Sequence, residues 1–324
     1  MRLFYDTAIY GFLLVDGLFI GFILYQLTKR GWRWQRVVLL GCLIFAWFVI
    51  FYGSFIEPQR LVVTEQNVTL RQAQGDMRPA ETIRIVLISD FHLGPYKQKT
   101  WVEKVVARVN ALSPELIVIA GDFILDKEVH PEYLAPLKNL SAQYGVYAVL
   151  GNHDYIEGEF YELANYPFEG NERVQAVKKA LAEANIRLLR NESKEIVLED
   201  GKSFLLGGTD EYWTLRADAR KTFKLANAPS TLKKILIVHN PDEIWDAQKA
   251  GVDLVLAAHT HGGQIRLPWL GSVPPIPDKL GRKYDRGLFQ FGETQMFITS
   301  GLGETGPRAR LLVPPEIALL EINL

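Results

Sequence analysis

A chain of 324 residues has room for one large domain and an additional element. At 48% hydrophobic and 23% charged residues it averages as a globular protein, and a formal net charge of −1 gives no electrostatic case for a nucleic-acid partner. The one cysteine, Cys42, excludes an internal disulfide and a thiolate metal cluster, and leaves the compartment open.

Apolar residues crowd the first 56 positions. Residues 8–27 are apolar apart from Asp16, with Tyr25 and Gln26 near the end, and residues 37–56 are apolar apart from Ser54. Each run reaches the roughly 20 residues an α-helix needs to cross a bilayer. They predict a two-helix transmembrane hairpin over residues 1–56, hence a multi-pass protein of the cell membrane with the lipid bilayer as a partner. The loop between them carries Lys29, Arg30, Arg33 and Arg36 beside Trp32 and Trp34, whereas Arg2 alone precedes the first run. The positive-inside rule therefore puts the loop in the cytoplasm and everything after Ile56 outside it. Asp16 is costly within a span; a functional role, a slip of one turn or a contact between the helices would each account for it.

Residues 57–324 read as a second domain. Residues 61–71 alternate enough for a strand, and 72–81, with Gly75 and Pro79, read as a turn-rich connection. Residues 83–89 (IRIVLIS) predict a strand buried on both faces, ending on Asp90 and His92. Thr100 stands where it would cap a helix running to Leu112, with Val102, Val105, Val106 and Val109 on one face. Residues 116–120 (LIVIA) predict a second buried strand, ending on Gly121 and Asp122. Successive strands of one βαβ unit lie close together, so Asp90 and Asp122 are expected to be neighbours.

A helical stretch over 132–141 leads to a strand at 145–150, which ends on Gly151, Asn152, His153 and Asp154. Residues 155–171 are loop-like and aromatic, and 173–185 form an amphipathic helix. Residues 195–198 and 203–206 read as a hairpin turning at Asp200 and Gly201. Buried strands at 235–238 and 252–257 end on His239 and on the run from His259 through His261 to Gly263. Strand-like segments at 287–291, 296–299 and 317–322 close the chain.

Five of the six histidines thus follow apolar strand runs, each accompanied by Asp, Asn or Gly; only His130 stands elsewhere. Any one of them reads as an ordinary core or surface residue, but the set reads as a shared metal site. Imidazole and carboxylate without sulfur suit Mn²⁺, Fe or Zn²⁺ better than Mg²⁺ or Ca²⁺. Asp90, His92, Asp122, Asn152, His239, His259 and His261 are too many ligands for one ion. They fit two divalent ions sharing a carboxylate, about 3.5–4 Å apart, which together clamp a phosphoryl group.

The motifs D-F-H at 90–92, G-D at 121–122, G-N-H-D at 151–154, His239 and H-T-H at 259–261 resemble the calcineurin-like metallophosphoesterase family, over about residues 61–324. H-T-H-G-G-Q, a later S-G-L-G at 300–303 and P-P-E-I at 314–317 resemble its membrane-associated bacterial branch. The resemblance implies an α/β fold, a four-layer sandwich of two mixed β-sheets flanked by helices, here preceded by the transmembrane hairpin. It implies a hydrolase of phosphoric ester or pyrophosphate bonds. One metal would take Asp90, His92, Asp122 and His261, and the other Asp122 as the bridge, Asn152, His239 and His259. His153 would contact the phosphate as general acid or transition-state stabiliser, with Asp154 either orienting it or capping the following turn. Ala258 replaces a family glycine and supplies no ligand.

Substrate choice falls to the surrounding loops. One candidate is the aromatic stretch 155–168; the other is 267–286, where Trp269, Leu270 and Ile276 precede Lys279, Arg282, Lys283 and Arg286. That mixture suits acyl chains and anionic headgroups, or is an ordinary Pro-rich loop with a solvated charge run. Arg308 and Arg310 either hold a phosphate or face solvent. The expected activity is hydrolysis of a phosphate mono- or diester of a lipid or membrane-proximal substrate. One alternative is a UDP-2,3-diacylglucosamine-type pyrophosphatase of lipid A synthesis, whose cytoplasmic substrate conflicts with the topology expected above. Another is a non-catalytic scaffold on the same fold, which would typically have lost residues that this chain retains.

Overall fold

In the structure, a computed structural model, residues 2–70, 82–125, 130–155, 172–224, 232–276 and 278–324 are described. Helices α1 (Arg2–Arg30) and α2 (Trp34–Phe51) pack together across a three-residue connection. The spans Leu3–Arg30 and Trp34–Gln59 have mean hydropathies of 2.0 and 2.3, and only 11% of each apolar window is buried, so their hydrophobic side chains point away from the protein. A helix of this length is roughly 40 Å long, more than the roughly 30 Å hydrocarbon core of a bilayer. Asp16 is buried, and beside it Trp47 Nε1 donates to the Leu13 carbonyl at 3.1 Å.

The end of α2 is fastened to the rest of the chain. It widens into a π-helical turn, Tyr52–Ile56, and then tightens into a 3₁₀ turn, Glu57–Gln59. Gly53 O accepts from Arg310 N at 2.8 Å, and Glu57 Oε1 accepts from Val313 N at 2.6 Å. Lys97 Nζ, buried over the Trp101 ring, donates to Pro58 O. The Arg308 guanidinium lies between the Phe55 and Tyr96 rings, 4.7 and 4.8 Å from their centroids. Any side chain at Gly53 would press on Arg310 O, 3.2 Å from the position of its Cβ.

Beyond the turn come β1 (Val62–Thr69), β2 (Thr82–Ile88), α3 (Lys99–Asn110), β3 (Leu116–Ala120), β4 (Val146–Val149), the short α4 (Asn152–Tyr155), α5 (Glu172–Glu183) and β5 (Arg187–Leu188). They are followed by β6 (Glu192–Val197), β7 (Ser203–Gly208), α6 (Ala219–Lys224), β8 (Lys233–Ile237), α7 (Ile244–Lys249) and β9 (Leu254–Ala257). A small ribbon of β10 (Arg266–Leu267) and β11 (Gly271–Ser272) precedes β12 (Gly287–Phe291), β13 (Thr294–Ile298) and β14 (Glu316–Asn323). One six-stranded sheet has the order β1-β14-β2-β3-β4-β5, the other β12-β13-β9-β8-β7-β6, and both mix parallel and antiparallel pairs.

Period-two alternation divides each central strand between two cores. Val86, Ile88, Ile117 and Ile119 face α3 and α5, while Ile85, Leu87, Val118 and Ala120 face Leu206, Ile237 and Leu256 of the other sheet. Leu236, Val255 and Ala257 turn outward onto α6 and α7. The result is the four-layer α/β sandwich with the hairpin ahead of it. Two local expectations change. Gln98, not Thr100, occupies the cap position of α3, in extended backbone. The segment expected as a helix over 132–141 is a 3₁₀ helix, Pro131–Asn139, because Pro136 cannot donate to an α-helical ladder. The expected connection at 72–81 and most of the aromatic stretch 155–168 lie outside the described residues.

Candidate metal centre

Five strand ends converge on one point. β2 and β3 run parallel with Ile88 opposite Ile119, and beyond them Asp90 N donates to Gly121 O at 2.9 Å and His92 N to Asp122 O at 3.1 Å. Asp90, His92, Asp122, His259 and His261 all have positive φ, between 45° and 73°. Non-glycine residues avoid that region at a cost of about 1–3 kcal/mol each, so these turns are held by their surroundings. Gly151 allows the loop after β4 to close over Asp122, since a Cβ there would stand 2.2 Å from Asp122 Oδ1.

Asp154 acts as a clamp on these turns. Its two oxygens accept from four main-chain N–H groups, those of Asp122 (3.0 Å), Phe123 (2.8 Å), Ile124 (3.3 Å) and Gly151 (3.0 Å). It thus binds the Asp122 turn to the His153 turn, where the sequence suggested only a contact to His153 or a cap. Burial and the nearby Asp122 raise its carboxyl to about 7, against the pull of the N–H groups toward the carboxylate. Gly151→Ala is expected to push these turns apart and lower metal content with the body still folded; elemental analysis beside circular dichroism checks this.

The donor atoms lie at ligand spacing. His92 Nε2 is 3.1 Å from His261 Nε2 and 3.4 Å from Asp122 Oδ2, and Asp90 Oδ1 is 3.8 and 3.6 Å from the two imidazole nitrogens. On the other side, His239 Nε2 is 3.2 Å from Asp122 Oδ2, 3.0 Å from Asn152 Oδ1 and 3.2 Å from His259 Nδ1. Among the described residues Asp90 Oδ1 and His259 Nε2 are buried without a hydrogen-bond partner, and two ring nitrogens facing each other need a proton or a cation between them. Donors bonded to one ion at about 2.0–2.2 Å stand roughly 3–3.5 Å apart, so these residues fit a divalent metal. All seven expected ligands are assembled here. His153, half-buried, joins a third group with His92 and Asp122 and sets its ring edge-on to His92 at 4.9 Å.

The electrostatics suit a cation. Burial alone would raise Asp122, but His239, His153 and His92 hold it well below the usual carboxylate range. Burial, together with Asp122, pushes Asp90 up to about 6. Burial lowers His92, His259 and His261, the last to about 3, which keeps their imidazoles neutral and able to ligate. His239 goes the other way, to about 10: burial alone would lower it, but the charge and hydrogen bond of Asp122, the charge of Asp90 and the Ala120 carbonyl together outweigh that.

The remaining expected residues are not at the centre. Arg310 is fully buried, and its guanidinium donates to the carbonyls of Ser300, Gly301, Gly303 and Val313, so it faces neither solvent nor a phosphate. It shapes the site from behind, since Gly303 O also meets His261 Nδ1 at 3.3 Å. Arg308 is taken up by its two aromatic neighbours, and Trp269 is wholly exposed on the β10–β11 turn. Tyr155 is core, its hydroxyl donating to Asp210. His130 pairs with Glu132, outside the cluster.

Three contributors escaped the sequence reading. Arg173 of α5 donates to His153 O at 2.7 Å and to Ile124 O at 3.1 Å. Glu211 accepts from Trp213 N and Thr214 N, shaping a loop that sets Trp213 edge-on to His259 at 4.4 Å. No local pattern marks any of these as part of a site. Arg310→Met is expected to cost about 3–5 kcal/mol, as removal of one buried charged partner does, read as a lower thermal midpoint in detergent.

A histidine–carboxylate cluster where two mixed sheets meet defines a metal-dependent hydrolase of phosphate esters. Residues 83–263 match the Calcineurin-like phosphoesterase family, and the chain belongs to it. It is 29% identical over 277 residues to the metallophosphoesterase YkuE of Bacillus subtilis, covering 84% of this chain and 89% of that one. It is likewise 29% identical over 306 residues to the UDP-2,3-diacylglucosamine pyrophosphatase LpxG of Chlamydia trachomatis, covering 83% and 91%. The phosphodiesterase YaeI of Escherichia coli is 27% identical over 249 residues, covering 75% and 83%.

Proposed function

We propose that this protein is a membrane-anchored phosphoesterase with a two-metal centre, acting on a phosphate mono- or diester of a lipid or membrane-proximal substrate. The observation that carries the two-metal reading is the place of Asp122, whose Oδ2 lies 3.4 Å from His92 Nε2 and 3.2 Å from His239 Nε2. Asp90, His92, Asp122 and His261 would hold one ion, Mn, Fe or Zn, and Asp122, Asn152, His239 and His259 would hold the other. Ions bound in this way acidify a water and neutralise phosphoryl oxygens.

The chain supplies the rest. His153 N donates to Asp122 Oδ1 at 2.9 Å, while Arg173 holds the His153 carbonyl, so the imidazole is aimed from a fixed backbone. From there it donates to a phosphoryl oxygen or protonates the leaving group. Asp154 is a positioning residue that keeps the Asp122 and His153 turns together. Detergent-purified protein with Mn²⁺ is expected to cleave bis(p-nitrophenyl) phosphate, and one component of a panel of extracted lipids, with loss of both on chelation. Metal-loaded protein inert toward every ester would support the scaffold reading instead.

The domain division falls at residue 56, with a transmembrane hairpin before it and the hydrolase body after it. Four cations between the spans, Lys29, Arg30, Arg33 and Arg36, support a cytoplasmic loop with the body outside the cytoplasm. Alkaline phosphatase fused at Leu324 is then expected to be active and green fluorescent protein dark. A second reading is favoured by the extended match to LpxG, a pyrophosphatase of a nucleotide-linked lipid. The opposite fusion pattern would select it, because the site would then share the compartment of that substrate.

A further inference from the structure

Between the His261–Gly263 turn and the end of α2 lies a surface that carries none of the clustered metal-ligand side chains. β10 and β11 pair Arg266 with Ser272 and Leu267 with Gly271, and their turn lifts Trp269 to 103% exposure with φ of 65°. Leu270 and Leu312 are also exposed, at 59% and 50%, and line one shallow depression with Trp269. Clustered apolar side chains on a surface mark an interaction site, unlike scattered ones.

The same depression carries Arg282, Lys283 and Arg286, all exposed. No carboxylate pairs with these three among the described residues; Asp285, the acid in their midst, is buried and bonded to Arg266. The surface is therefore apolar at its tip and positive at its base. Arg286 also reaches the metal-site turn, its Cδ lying 3.1 Å from where a Cβ on Gly262 would be.

Continuity with the hairpin says what covers it. Arg266 N donates to Leu311 O at 2.9 Å, and the Leu311 side chain lies 3.8 Å from the Cβ position of Gly53, inside the span Trp34–Gln59. A bilayer around α2 brings its headgroup layer to this level. Tryptophan favours that layer, and each cation near an anionic membrane surface is worth about fivefold in binding.

Resting on the membrane-anchored reading, we propose that this surface sits on anionic lipid headgroups. Trp269 and Leu270 enter the interface, while Arg282, Lys283 and Arg286 meet lipid phosphates beside the His261 turn. The body is thereby held with its metal centre against the membrane face.

The test uses the full chain in nanodiscs of phosphatidylcholine, with or without one third phosphatidylglycerol. An environment-sensitive dye is attached to Leu270→Cys in a Cys42→Ser background, and a control dye to Lys194→Cys on the opposite edge strand, β6. The dye at 270 is expected to shift to the blue and be quenched by headgroup nitroxide lipids, more strongly with phosphatidylglycerol, while the dye at 194 reports water. Arg282→Gln, Lys283→Gln and Arg286→Gln together are expected to remove the phosphatidylglycerol dependence. A dye at 270 that reports water in nanodiscs carrying the chain would overturn the proposal and spare the anchor. Equal signals in both lipid compositions would overturn its anionic component. Failure of the chain to enter nanodiscs, with solubility in the absence of detergent, would overturn the anchor and this inference with it.

Discussion

Asp122→Asn is expected to abolish hydrolysis and lower metal content together. Asn preserves the shape, and its carbonyl can still accept from His153 N, which Asp122 Oδ1 does at 2.9 Å. What disappears is the charge between His92 and His239, 3.4 and 3.2 Å away. The neighbouring histidines hold that carboxyl well below its ordinary range despite its burial, so at any working pH it is an anion that two cations can share. An amide nitrogen offers protons where a metal needs a lone pair. A loss of at least about a thousandfold in turnover corresponds to the several kcal/mol such ions contribute to the transition state. Elemental analysis beside an assay with a chromogenic diester checks both parts. A variant that kept two metals and full activity would remove Asp122 from the bridge.

His153→Ala and His153→Asn are expected to separate metal from catalysis. Both keep the backbone N–H that donates to Asp122 and the carbonyl held by Arg173, so the turn stays in place. Only the imidazole is lost, and with it about 10²–10⁴ in rate, the usual contribution of a positioned acid or base. The deficit is expected to grow with the pKa of the leaving group, smallest for a nitrophenyl ester and largest for an alkyl ester, since proton donation matters most where departure is hardest. His153 also groups with His92 and Asp122 at ligand spacing. A variant that lost its metals would therefore reassign it as a ligand, and a uniform rate deficit across leaving groups would leave it a stabiliser of charge alone.

Much of this chain was legible without coordinates. An apolar run that stops on Asp, Asn or His is a local signal, and it places Asp90, Asp122, Asn152, His239 and His259 at strand ends because strands are short and their termini polar. The two N-terminal runs are equally local, as length and hydropathy suffice to show helices that can cross a membrane. Long-range contacts had no such trace. Burial on both faces looks the same in one sheet or two, so only the packing of Ile85 and Leu87 against Ile237 and Leu256 separates the layers. A basic residue in a loop ordinarily means solvent; Arg310 is buried because the chain from Ser300 to Val313 folds back so that four of its carbonyls meet around the guanidinium, and no residue pattern announces that. Asp154 likewise sat beside His153 in sequence, yet three of its four donors come from the turn after β3. The seating of Gly53 and Glu57 against Arg310 and Val313, more than 250 residues away, was decided by the tertiary structure alone, because a hydrogen bond to the main chain carries no side-chain signature at its far end.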